Sequence, residues 1–194
     1  MNFLAHIYLS GNDNELRIGN FMADSIHGRR PESFPPGICK GIILHRAIDT
    51  FTDSHPIFRQ TTKRLHANYH HYAGVIADVY YDHFLAKNWG NYHPEPLEKF
   101  AADFYQLLTD NFDVLANQTQ QIVPHMIRNN WLVGNAHLDG IARTLSQIDR
   151  RTDNKSGMTN AINDLQEFYA EFEQEFTQFF EAIQAYIKIK IPEL

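Results

Sequence analysis

Ile162, Leu165, Tyr169, Phe172, Phe176, Phe179, Ile183 and Tyr186 recur alternately three and four residues apart. That spacing lines one face of an α-helix and is incompatible with a strand, whose faces alternate with period two. It predicts one long C-terminal helix that packs on the core or on another subunit, with Glu167, Glu171 and Glu175 mostly off the stripe. Helical spacing returns upstream. Leu16, Ile18, Phe21, Met22 and Ile26 give a face to a helix from Asn14 to His27, and Gly28 sits where a left-handed cap would stop it. Pro36 suits the first turn of a helix to about Asp53, and Ser54 with Pro56 supplies an N-cap and an N1 proline for another to about Asn68. Further helices are expected from His71 to Lys87, from Pro94 or Pro96 to Asp110, and from Ala136 to Arg150, with Pro124 interrupting the stretch before the last. No useful strand alternation, fixed-period repeat or domain linker appears. The expected fold is all-α, a single helical domain over residues 1–194.

A chain of 194 residues with 43% hydrophobic content can bury a sizeable core without staples. Its one cysteine, Cys39, excludes an intramolecular disulfide framework and a cysteine-rich zinc module, so a reducing, cytoplasmic setting is expected. No apolar run has membrane length, and MNFLAHIYLS lacks the basic start and cleavage site of a secretory signal. A net charge of -6 argues against broad nucleic-acid binding. The charge is uneven: residues 1–100 hold ten basic and ten acidic side chains, residues 101–194 seven and thirteen. Nine of the eleven histidines lie in the neutral first hundred residues, which is where chemistry is expected.

On a helix over GIILHRAIDTFTD (41–53), His45 and Asp49 are four apart and share a face that continues the Ile38–Ile42 stripe. A carboxylate turned inward is costly unless it is paired or binds a cation. Two outcomes remain open there: a local His45–Asp49 hydrogen bond beside Arg46 with Asp53 as a terminal cap, or a ligand pair. In the stretch 70–89, Asp78 and Asp82 are again four apart, beside Val75, Val79 and Leu85, with His83 adjoining. Two acids on an apolar face repel each other, and a shared cation is the simplest remedy; the alternative is surface exposure with Lys87 as partner. His6 among Phe3, Leu4, Ile7 and Leu9, and Asp24 between Met22 and Ile26, complete a mixed His/Asp set suited to Mn, Fe or Zn. The other histidines read as loop or helix-end residues. No P-loop, dinucleotide turn, G-x-S-x-G elbow or H-E-x-x-H motif is present.

MNFLAH, GNFMAD (19–24), GIILHRAIDTFTD (41–53) and ADVYYDHFLAKNW (77–89) together resemble the acyl carrier protein phosphodiesterase family, and NNWL (129–132) and the pair Arg150–Arg151 are consistent with it. The resemblance implies a helical bundle related to the HD phosphohydrolases and a divalent metal, usually manganese. The implied reaction removes 4′-phosphopantetheine from the serine of holo acyl carrier protein. Carried over by motif position are His6, Asp24, His45, Asp49, Asp78, Asp82 and His83. The strict His-Asp doublet is absent, since Asp82–His83 runs in reverse and Arg46 follows His45.

On that basis the expected ligands are His6, Asp24, His45, Asp78 and Asp82. Asp49 or His83 would orient water or protonate the leaving oxygen, and Arg46 would contact a phosphate oxygen. With the inward aspartates set aside, the outer charges of the first half are net basic. Arg29, Arg30, Lys40, Arg59, Lys63 and Arg64 are therefore expected to face an acidic carrier protein. Two competing readings keep parts of this scheme: an HD-like hydrolase of another phosphoester, and a non-catalytic helical protein that binds the carrier or itself through the C-terminal stripe.

Overall fold

The computed structural model describes residues 1–26 and 33–194. Among them are eleven α-helices and no strand: α1 (Phe3–Leu9), α2 (Asn14–Met22), α3 (Pro36–Ser54), α4 (Pro56–Tyr69), α5 (Ala73–Lys87), α6 (Leu97–Asp110), α7 (Asn117–Arg128), α8 (Trp131–Gly134), α9 (Leu138–Arg151), α10 (Ala161–Glu167) and α11 (Tyr169–Lys190). One continuous core draws on all of them, so the all-α expectation holds. No helix among the described residues is long and apolar enough to cross a membrane.

The closest helix pair is α2 against α3, and two glycines permit it. A Cβ added at Gly19 would lie 2.1 Å from the Ile38 carbonyl oxygen, and one at Gly41 2.4 Å from that of Leu16. Backbone meets backbone only where the side chain is missing. This approach sets the end of α2 beside the middle of α3. Helix α1 is anchored differently: the Asp82 carboxylate on α5 accepts the Leu4 and Ala5 N–H groups at 2.8 and 3.1 Å. A buried carboxylate thus satisfies donors that the start of a helix leaves free, and it fixes the rotation of α1.

Several expected boundaries shift. Helix α2 ends at Met22 and gives way to a 3-10 turn over Ala23–Ser25; Gly28 lies outside the described residues. His55, rather than Ser54, caps α4, its ring accepting the Ile57 N–H at 3.3 Å. Pro124 does not interrupt α7 but lies inside it, where one lost hydrogen bond is tolerated in a helix held by neighbours. The C-terminal stripe spans two helices rather than one: Phe168, at φ −111° and ψ 33°, separates α10 from α11. Leu165 and Tyr169 keep their four-residue spacing across that break, so the apolar period gives no sign of it.

Phe172, Phe176, Phe179 and Ile183 of the stripe are fully buried against the chain's own helices, while Ile162, Tyr169 and Tyr186 are half-buried. Glu175 departs from expectation as well, being 5% exposed and enclosed by α4.

Candidate metal centre

Three helices and one turn bring imidazole and carboxylate groups to one place. His6 comes from α1, His45 and Asp49 from α3, and Asp24 from the 3-10 turn after α2. His6 and His45 stack with ring centroids 4.1 Å apart. His45 Nε2 lies 3.0 Å from Asp24 Oδ1 and 3.0 Å from Asp49 Oδ2, while His6 Nε2 lies 3.2 Å from Asp49 Oδ1. Asp49 therefore bridges the two rings. Asp78 on α5 joins the edge of the cluster: the Met1 amine lies 2.8 Å from its Oδ1 and 3.7 Å from Asp49 Oδ1.

The rings are oriented from behind by a residue that the sequence does not single out. Asn20 is fully buried on α2. Its side-chain oxygen accepts from His6 Nδ1 at 2.7 Å, and its backbone carbonyl accepts from His45 Nδ1 at 2.9 Å. The Asn20 amide in turn donates to the His6 carbonyl and to Ser10 Oγ, which holds it in place. With both Nδ1 atoms engaged as donors, both Nε2 atoms point at the carboxylates. That is the outer-shell arrangement by which proteins fix histidine ligands.

Burial pushes His6 down to about 4, against the opposing pull of Asp49, so its ring is neutral near pH 7. A neutral ring that donates through Nδ1 aims its Nε2 lone pair at Asp49 and at the Met1 carbonyl oxygen, 3.1 Å away, both acceptors. Acceptors that face one another repel, and a proton or a cation between them relieves that repulsion. Burial also opposes the charge on His45, but hydrogen bonds to Asp24 and Asp49 win and raise it to about 9. Asp24 is held below the ordinary carboxylate range, chiefly by its hydrogen bond from His45. Burial would raise Asp49, but the hydrogen bond from His45 and the nearby Met1 amine bring it well below. The ligand atoms of His6, His45 and Asp49 all lie within 4.8 Å of one another, a spacing one ion can span. Two imidazoles with carboxylates form a donor set for a divalent transition ion.

Other expected site residues are placed elsewhere. Asp82 is 1% exposed and accepts the N–H groups of α1, and burial raises it to about 7 despite those bonds. Its contribution to the cluster is to position α1. His83 faces away, with Nδ1 donating to the Asn135 carbonyl at 2.8 Å and Nε2 bonded to the Tyr169 hydroxyl at 2.7 Å. Arg46 is exposed beside His45, with no acidic partner among the described residues. Among the basic residues, Arg64 is held by Glu175 at 2.6 Å and lies over Phe168 and Phe172. Arg59 donates to the Asp53 carbonyl and with Lys63 lines an open cleft of about 620 Å³, and Lys40 is exposed. Arg29 and Arg30 lie outside the described residues.

The family model described as acyl carrier protein phosphodiesterase matches residues 1–183. The chain belongs to the acyl carrier protein phosphodiesterase family. Among relatives carrying that name, the Photorhabdus laumondii protein is 30% identical over 181 residues, covering 93% of this chain and 91% of its own. The Yersinia enterocolitica protein is 28% identical over 186 residues, 95% of this chain and 96% of its own. That of Escherichia coli O157:H7 is 30% identical over 190 residues, again 95% and 96%. No solved structure matches the chain. Within this phosphodiesterase family the match spans every helix that contributes to the cluster.

Proposed function

We propose that the protein hydrolyses the phosphodiester between 4′-phosphopantetheine and the serine of holo acyl carrier protein, releasing the apo carrier. The observation that carries this reading is the convergence of the His6 and His45 Nε2 atoms on Asp49, with both rings fixed through Nδ1 by Asn20. His6, His45 and Asp49 would hold a divalent ion, with Mn²⁺ the first candidate and Asp78 at the edge of the same cluster. When bound, such an ion neutralises phosphoryl charge and supplies hydroxide near neutral pH.

The remaining work falls to side chains of this chain. Asp24 is the most solvent-exposed carboxylate of the cluster, at 72%, and its lowered pKa keeps it ionised as a hydrogen-bond acceptor for the attacking water. As water adds to phosphorus and the bond to the serine oxygen breaks, the water gives up one proton and the serine oxygen gains one, with Asp24 orienting the water as a hydrogen-bond acceptor. Arg46, exposed on α3, is the candidate for contact with a non-bridging oxygen, since its fixed charge suits that role. His83 is assigned no chemical role in this scheme. A kinship with HD phosphohydrolases is part of the proposal, supported by the origin of the His/Asp donors on separate helices. A cytoplasmic setting fits the single free cysteine, Cys39.

Mass spectrometry of holo carrier incubated with the protein and Mn²⁺ tests the reading. The expected result is loss of the phosphopantetheine arm and appearance of apo carrier, abolished by chelator. An intact arm alongside cleavage of small aryl phosphodiesters would instead favour a hydrolase of another phosphoester.

A further inference from the structure

The acidic half of the chain contains a basic face. Residues 114–138 include no Asp or Glu, although residues 101–194 are net acidic. Helices α7 and α8 lie in that stretch, and α9 beside them adds Arg143, Arg150 and Arg151. All three arginines are exposed, and no described carboxylate pairs with them or with Arg128. Buried Asp149, the acid nearest in sequence to Arg150, is taken inward by Ser156 and Thr159. Free guanidinium groups on a molecule of opposite net charge concentrate a local positive field.

At the centre of this face stands Trp131. Its half-buried indole borders three adjoining hollows, one of about 380 Å³ shared with His125, Arg150 and Arg151 and one of about 140 Å³ shared with Gln147 and Arg151. The sequence blocks NNWL and Arg150–Arg151, apart in the chain, thus form one surface. The smaller hollow also reaches Asn2 and Phe3. Asn2 follows Met1, whose carbonyl oxygen and amine both touch the metal centre. An aromatic ring ringed by arginines is the composition of a protein-binding hot spot.

We propose that this face receives an acidic protein surface. The inference rests on the carrier reading above, under which the occupant is the carrier protein itself. Its acidic residues would meet Arg143, Arg150 and Arg151, and an apolar side chain would meet Trp131. Asn2 and Phe3 connect the smaller hollow to the Met1 end of the centre, and a carrier seated there would extend its modified serine along that edge.

The test compares two sets of charge reversals in the full-length protein: Arg143→Glu with Arg150→Glu and Arg151→Glu, and Arg59→Glu with Lys63→Glu. The first set is expected to lower kcat/KM for holo carrier about 30-fold at low salt and to flatten the salt dependence. It should leave hydrolysis of a small aryl phosphodiester unchanged. Unchanged carrier hydrolysis in the first set, or an equal loss confined to the second, would overturn the proposal. Binding of apo carrier to the metal-free protein, followed by Trp fluorescence, separates docking from chemistry. Binding lost in the first set supports the docking face even if the wild-type protein leaves the arm intact. No binding of apo carrier by the wild-type protein, or binding of a DNA duplex in its place, would sink it.

Discussion

Two carboxylates of the protein, buried Glu175 and half-exposed Asp49, have unlike company. Glu175 is saturated: Oε1 accepts from Arg64 at 2.6 Å and Gln60 at 2.8 Å, and Oε2 accepts from the Thr61 hydroxyl at 2.7 Å. The Tyr81 hydroxyl completes the set through Thr61. Charge and hydrogen bonds close on themselves, joining α4 to α11. Asp49 faces two imidazoles, one of them neutral, with Asp24 and Asp78 as neighbouring acids, and its side chain is 41% exposed. The Glu175 carboxylate has its donors in place, whereas around Asp49 three carboxylates share the donors of His45 and the Met1 amine and the cluster opens to solvent. A saturated cluster stabilises a fold, whereas an unsaturated one at a surface is a binding site.

The strongest way to break this contrast is to truncate each acid. Asp49→Ala should abolish metal-dependent hydrolysis, a loss of at least about 1,000-fold, while circular dichroism and Tm stay near wild type. Glu175→Ala should do the reverse, lowering stability by about 3 kcal/mol through the stranded Arg64, with metal binding retained in the folded fraction. Chemical denaturation and metal titration of both variants read the outcome; a Tm collapse in Asp49→Ala alone would invert the comparison.

A smaller effect sharpens it. Asn20→Ala leaves every donor of the centre in place but frees both rings to rotate, so Mn²⁺ affinity should fall about 10-fold to 100-fold. Unchanged affinity would show that packing of the rings suffices to orient them.

The smallest signal is a proton count. His45 stays protonated up to about pH 9 in the metal-free protein, whereas His6 is neutral above about pH 4. A ligand imidazole must give up its Nε2 proton, so metal uptake at pH 7 should release about one proton, and affinity should rise with pH until His45 has titrated. Calorimetry in buffers of different ionisation enthalpy measures that number. Zero would place His45 outside the ligand set.

The legible part of the site was that carried on single helices. His45 and Asp49 are four apart on α3, and the spacing alone puts them on one face. For Asp78 and Asp82 the same rule foretold an inward position without revealing what each carboxylate would meet. Asp82 meets the start of α1, whose free N–H groups belong to residues far away in sequence. Asn20 carried no signal beyond its place in GNFMAD, because an amide on a helix reads as ordinary surface until two imidazoles are found against it. Glu175 looked solvent-facing for a related reason: its partners Gln60, Thr61 and Arg64 lie on another helix.

The residue order by itself determined the all-α class, the main apolar faces and the family, because local spacing and ordered motif blocks are properties of the chain alone. The tertiary structure decided which acids are spent internally and which remain for a ligand. That division depends on distances between helices, such as the glycine-permitted approach of α2 to α3, and partners brought together by packing leave no period in the sequence.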